Sequence, residues 1–241
     1  MGRMYKLGIK GTVGLPYPGC ANDNTEADEH VMDREVGDRN FPLWLIGDSN
    51  PVQWQSFLKT PLDPRHPIRH NIWTAILDVV QERVFRQNRS RVNTSSLYIR
   101  NAVDNPAKKP SQTSKEWKQV TETEIEDLQQ LIEAHRPTMV LCFGAFAFEF
   151  ARRALSEPDR RQHGYWSARR LGGEFRHRMQ EFEPGKINVL PLLHRSISGG
   201  KFLESHKYFC GQPGVNYFEM VGGNIADKMI QYREQLRIWI E

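Results

Sequence analysis

Four apolar runs are too short for helices and rich in Leu, Ile and Val: Leu43–Ile46, Leu97–Ile99, Met139–Phe143 and Ile187–Leu193. Continuous apolar runs of that length suit strands buried on both faces, as in a parallel sheet. Helical patterns lie between and after them. Ile68, Ile72, Ile76, Val80 and Val84 recur every four residues, and Trp73 and Leu77 widen the stripe. Trp117, Val120, Ile125, Leu128 and Ile132 trace a second face, with Ser114 or Thr121 as its cap and Pro137 just past its end. Ala145–Leu155 comes directly after the third run. Ile225, Met229, Tyr232, Leu236 and Trp239 form a closing amphipathic helix. Strand alternating with helix predicts a three-layer α/β/α sandwich around a four-stranded, mainly parallel sheet.

Residues 1–40 carry Gly, Pro and acidic residues without periodicity and read as an N-terminal extension. Residues 41–241 read as one α/β/α domain, with a basic insertion at about 157–186 built as a hairpin around Gly172-Gly173. The longest apolar runs are too short to span a bilayer, and no apolar leader comes after Lys6 and Lys10, so a cytoplasmic protein without membrane contact is expected. Cys20, Cys142 and Cys210 are odd in number and widely spaced. They fit reduced thiols and make no zinc or iron–sulfur set, so neither metal nor cofactor is expected.

The net charge of +4 suits an anionic partner, as it does many ordinary enzymes. Its distribution says more. Arg152, Arg153, Arg160, Arg161, Arg169, Arg170, Arg176 and Arg178 crowd one stretch, and Lys108, Lys109, Arg195 and Lys201 fall in expected loops. Such residues gain affinity for duplex phosphates through counterion release. A solvated basic face is the competing reading.

The residues just past each strand are more specific. The first run leads into Gly47-Asp48-Ser49-Asn50-Pro51, the second into Arg100-Asn101-Ala102, the third into Gly144-Ala145 and the fourth into His194-Arg195-Ser196. Open parallel sheets bind ligands beyond the carboxyl ends of their strands. Acidic, amide and imidazole groups are therefore expected at one rim.

At these residues the chain resembles the uracil-DNA glycosylase superfamily over roughly residues 40–205. Gly47-Asp48-Ser49-Asn50-Pro51 is similar to the family's first motif, and His194-Arg195-Ser196 to its His-Pro-Ser-like motif. Leu97-Tyr98-Ile99-Arg100-Asn101-Ala102-Val103 looks like the family strand ending in Asn-Ala-Val, and Arg136 to Ala145 like its Pro-x-hydrophobic-Gly-Ala segment. The resemblance implies a DNA glycosylase that hydrolyses the N-glycosidic bond of a flipped-out uracil or modified pyrimidine. Such an enzyme leaves an abasic site and works as a monomer on duplex or single-stranded DNA, without a lyase step. Anchoring the first motif on Gly47 makes Asp48 the acidic residue, as in the iron–sulfur branch. Anchoring it on Pro51 makes Asn50 the equivalent, as in the mismatch-specific branch. Arg195 stands where the family usually has proline.

The chemistry explains the residue types. Breaking an N-glycosidic bond builds positive charge on the sugar and negative charge on the departing base. A carboxylate near C1′ stabilises the sugar and orients water, a role for Asp48, while Asn50 could position water without supplying charge. His194, as a neutral imidazole, can donate to the developing oxyanion of the base. Asn101 offers the donor and acceptor that a pyrimidine edge requires. Trp54 or Phe57 could stack on the extruded base. Arg195, Ser196, Ser198, Gly199 and Lys201 form a loop suited to entering the DNA, with the glycines allowing close approach. Structural roles compete at each position: turn or cap for Asp48 and Asn101, packing for Trp54, Phe57 and His194, a surface turn for the loop.

Three other functions fit parts of the pattern. The Arg195 change and the basic insertion suit a bulkier base such as the glucosylated hydroxymethylcytosine of phage DNA, which would make the enzyme one of antiphage defence rather than DNA repair. Gly47-Asp48-Ser49 also matches the nucleophile turn of Gly-Asp-Ser esterases, with Ser49 as nucleophile; such enzymes need a late Asp-x-x-His, and Asp63-Pro64-Arg65-His66 comes early. A non-catalytic nucleic-acid binder would keep the basic loops and dispense with Asp48 and His194.

Overall fold

A computed structural model of the chain describes residues 35–49, 73–194 and 201–240. Strand β1 is Glu35–Val36, β2 is Leu43–Gly47 and helix α1 is Thr74–Asn88. Next come β3 (Arg91–Val92), β4 (Tyr98–Asn101), a 3-10 turn at Pro106–Lys108 and α2 (Gln119–His135). Strand β5 (Met139–Phe143) leads into α3 (Ala145–Ala154), a 3-10 turn at His163–Tyr165 and α4 (Ala168–Gln180). The chain then runs through β6 (Asn188–Leu192), α5 (Lys201–Cys210), α6 (Tyr217–Gln231) and β7 (Trp239–Ile240).

The main sheet has five strands in the order β1-β4-β2-β5-β6. All pairs are parallel except the antiparallel edge strand β1, so the sheet gains one short strand over the four expected. A two-residue strand without an apolar run carries no periodicity to read. Every residue of β2, β5 and β6 is buried whichever way it points, as a sheet covered on both faces requires. The molecule is a mixed α/β sandwich with the sheet as its middle layer. The chain leaves β2 toward β4 and leaves β5 toward β6 on the opposite side. Between β2 and β5 the order therefore reverses, and ligands in such sheets settle in the crevice above that point.

The expected hairpin at Gly172-Gly173 is helix α4 instead. A side chain at Gly172 would meet the Phe209 carbonyl oxygen at 1.9 Å, so this glycine lets α4 and α5 approach closely and marks no turn. Ser114 and Thr121 do not cap α2, whose N-cap is Lys118: Thr121 donates its hydroxyl to the Lys108 carbonyl and Ser114 to that of Glu116. Trp117 precedes the helix. The closing helix ends at Gln231, and Trp239 pairs in β7 with β3. Ile68 and Ile72 lie outside the described residues.

Much of the basic stretch is neutralised within the protein. Glu149, fully buried, accepts from Arg152 Nη1 at 2.9 Å, Arg153 Nε at 3.3 Å, the Arg161 amide at 2.7 Å and the Trp166 indole at 2.7 Å. Arg178 binds Glu157 at 2.6 Å and Glu174 at 2.7 Å. These arginines hold α3 and α4 together and cannot be counted as phosphate ligands. Arg160, Arg169 and Arg170 remain exposed.

Candidate active site

The parallel register brings the strand ends level. Gly47 at the end of β2 lies opposite Asn101 at the end of β4. The Ala102 amide donates to the Gly47 carbonyl at 2.9 Å, and the Val103 amide to that of Asp48 at 3.3 Å. This extends the pairing into the first residues past the sheet. A Cβ on Gly47 would stand 2.4 Å from Asn101 Oδ1, so the buried Asn101 amide lies in space that only glycine leaves open.

A second glycine does the same on the other side of the crevice. Gly144 comes directly after β5 with φ +95°, a conformation that L side chains rarely adopt, and a Cβ there would meet His194 Cβ at 2.7 Å. His194, two residues past β6, therefore packs over Gly144 at the end of β5. The backbone before it is pinned, because the Leu193 amide donates to the buried Tyr217 hydroxyl of α6 at 2.9 Å.

Asp48 carries the charge of the site. Lys109 Nζ lies 2.6 Å from its Oδ1 and 2.8 Å from its Oδ2. The Ser49 hydroxyl donates to Oδ1 at 3.2 Å. Burial pulls the His194 imidazole below the ordinary histidine range; Asp48 partly opposes this and Lys109 reinforces it. His163, from the 3-10 turn before α4, feels the same pair: burial and then Lys109 lower its proton affinity, while Asp48 raises it. His163 is buried edge-on against Trp117 and Phe146, and its Nδ1 has no hydrogen-bond partner among the described residues.

The structure thus gathers Asp48, Asn101 and His194 on the carboxyl ends of β2, β4 and β6, around the reversal point of the sheet. Asn50, Trp54, Phe57, Arg195, Ser196, Ser198 and Gly199 lie outside the described residues, as does the side chain of Lys201. So does Asp63-Pro64-Arg65-His66. The Ser49 hydroxyl points its hydrogen bond at a carboxylate and not at an imidazole, which is not the arrangement that activates a serine nucleophile. Two residues of the cluster had no distinct sign in the sequence. Lys109 sits beside Lys108, whose own ammonium turns away to Asp104 and Glu124, both at 2.8 Å. His163 stands among arginines in a stretch that reads as surface.

Among the described residues no group of His, Cys, Asp and Glu is arranged to hold a metal ion. Cys142 and Cys210 are buried free thiols. No helix among these residues is long and apolar enough to cross a membrane. No protein-family model matches the chain, and a search of curated proteins returned no match.

Proposed function

We propose that the chain is a DNA glycosylase that hydrolyses the N-glycosidic bond of a flipped-out uracil or modified pyrimidine. One observation carries this reading. A carboxylate, an amide and an imidazole whose proton affinity burial lowers stand at three separate strand ends, around the point where the strand order reverses. Asp48 stands as the anion that stabilises the oxocarbenium-like sugar and orients the attacking water. Its 2.6 and 2.8 Å bonds to Lys109 hold both of its oxygens in place. His194, held neutral by burial, can donate to the oxyanion that forms on the leaving base without transferring a full charge to it. Asn101 carries both an acceptor and a donor, the complement of a pyrimidine edge, and its amide lies in the space that Gly47 leaves open.

A base must leave the stack before these groups reach its glycosidic bond, and that opening is easiest for mismatched or damaged pairs. The same constellation serves a bulkier base, including a glucosylated hydroxymethylcytosine, if the crevice admits it. Duplexes containing uracil, a mismatch or phage-type modified cytosines, incubated with purified protein, test the reading directly. Mass spectrometry of the small-molecule fraction should find one free base and a matching abasic site. Absence of free base from every duplex would refute it.

A further inference from the structure

The adjacent lysines of the loop after β4 behave as two different devices. Lys108 is an anchor. Its ammonium bonds Glu124 of α2 and Asp104, and its carbonyl accepts from Thr121 of α2. The loop is further set by the Asn105 side chain, which caps the 3-10 turn by accepting from the Ala107 amide at 2.9 Å. The Lys109 amide closes that turn on the Pro106 carbonyl at 3.1 Å. With its neighbour tied to α2, Lys109 is delivered to the far side of the loop. There its ammonium meets both oxygens of Asp48 and lies 5.2 Å from the centre of the Phe146 ring, an orientation that an aromatic face favours.

We propose that Lys109 is a positioning residue of this site, an ammonium that holds the Asp48 carboxylate in place at the strand ends through both of its oxygens. This role rests on the glycosylase reading. A carboxylate at a DNA-binding rim is repelled by the phosphates as substrate enters, and an ammonium bonded to both of its oxygens opposes its displacement. Among the described residues, four charged groups act on the neighbouring imidazoles: Asp48, Lys109, Glu149 and Arg153. His194 feels Asp48 and Lys109; His163 feels Lys109 and Arg153 on one side, Asp48 and Glu149 on the other. One lysine therefore bonds the carboxylate and adds to the burial that lowers the proton affinity of both imidazoles.

The test compares wild type with Lys109→Gln and Lys109→Arg in two measurements. In single-turnover base release, Lys109→Gln should lower the maximal rate about 10- to 100-fold, the scale of a slightly misplaced catalytic group. The half-saturating DNA concentration should change little, and Lys109→Arg should recover most of the rate. In the free protein, NMR titration of His194 should shift to higher pH in Lys109→Gln, because a repelling cation is gone and Asp48 is no longer neutralised. A Lys109→Gln protein that loses only DNA affinity at full maximal rate overturns the proposal, as does an unmoved His194 titration. A borohydride-trapped adduct with abasic DNA that vanishes in Lys109→Arg also overturns it, making the lysine a nucleophile. If wild type releases no base at all, the glycosylase reading fails; if wild type and both variants release it alike, only the role of Lys109 fails.

Discussion

Gly144 leaves the space that His194 occupies: a methyl group on that glycine would sit 2.7 Å from His194 Cβ, at a backbone angle of φ +95°. The sheet thus aims its imidazole by omitting a side chain on the neighbouring strand. Gly144→Ala should cost about 1–3 kcal/mol in backbone strain and displace the ring. Base release should fall about 100-fold, the penalty for moving a catalytic group by an ångström, while thermal unfolding stays cooperative. A variant that unfolds at lower temperature yet releases base at the wild-type rate would separate His194 from the chemistry.

The same two residues show why part of the site is legible in the sequence. Gly144 and His194 each come just after an apolar run, and strand ends in a parallel sheet share one rim by topology alone. Asp48 and Asn101 are legible for that reason too. The helix α4 is not, because Gly172-Gly173 has the local signature of a turn, and only the Phe209 carbonyl packed against Gly172 explains the glycine. Nor does the sequence separate Lys108 from Lys109, whose different partners are fixed by a turn of three residues. The run of arginines looks like one basic surface, whereas Arg152, Arg153 and Arg178 face inward onto carboxylates that lie nearby in sequence. Charge counts along a chain do not record which way a helix turns its face.

That inward-facing network makes a stability prediction. Glu149 accepts four hydrogen bonds in the interior, two of them from guanidinium groups. Glu149→Leu strands those donors and should destabilise the fold by about 3–5 kcal/mol. Glu149→Gln keeps acceptor capacity and should lose less. Urea denaturation of both variants checks this; a loss under about 1 kcal/mol for Glu149→Leu would contradict the pairing.

Stability should also respond to mild acid. Burial holds His163, His194 and His206 below the ordinary imidazole value of 6.5. As pH falls through 6.5 the unfolded chain takes up protons that the folded chain refuses, so unfolding becomes easier. Glu157 adds a second step. Burial alone would raise its carboxyl, but Arg178 and Arg152 outweigh that and hold it below 4.5, so its contribution disappears only as pH falls below that value. Thermal melts should therefore be flat above the imidazole range, decline below it and decline again in the carboxylate range. A melting temperature constant down to pH 4.5 would mean that the three imidazoles are not held neutral by the fold.

The proposed reaction turns on Asp48. The most direct measurement is single-turnover base release by Asp48→Asn beside wild type, on whichever duplex wild type processes. Binding to the same duplex and thermal unfolding serve as controls. Removing the charge while keeping the shape should slow release at least ~100-fold with DNA binding and folding retained. Release by Asp48→Asn at the wild-type rate would contradict the account.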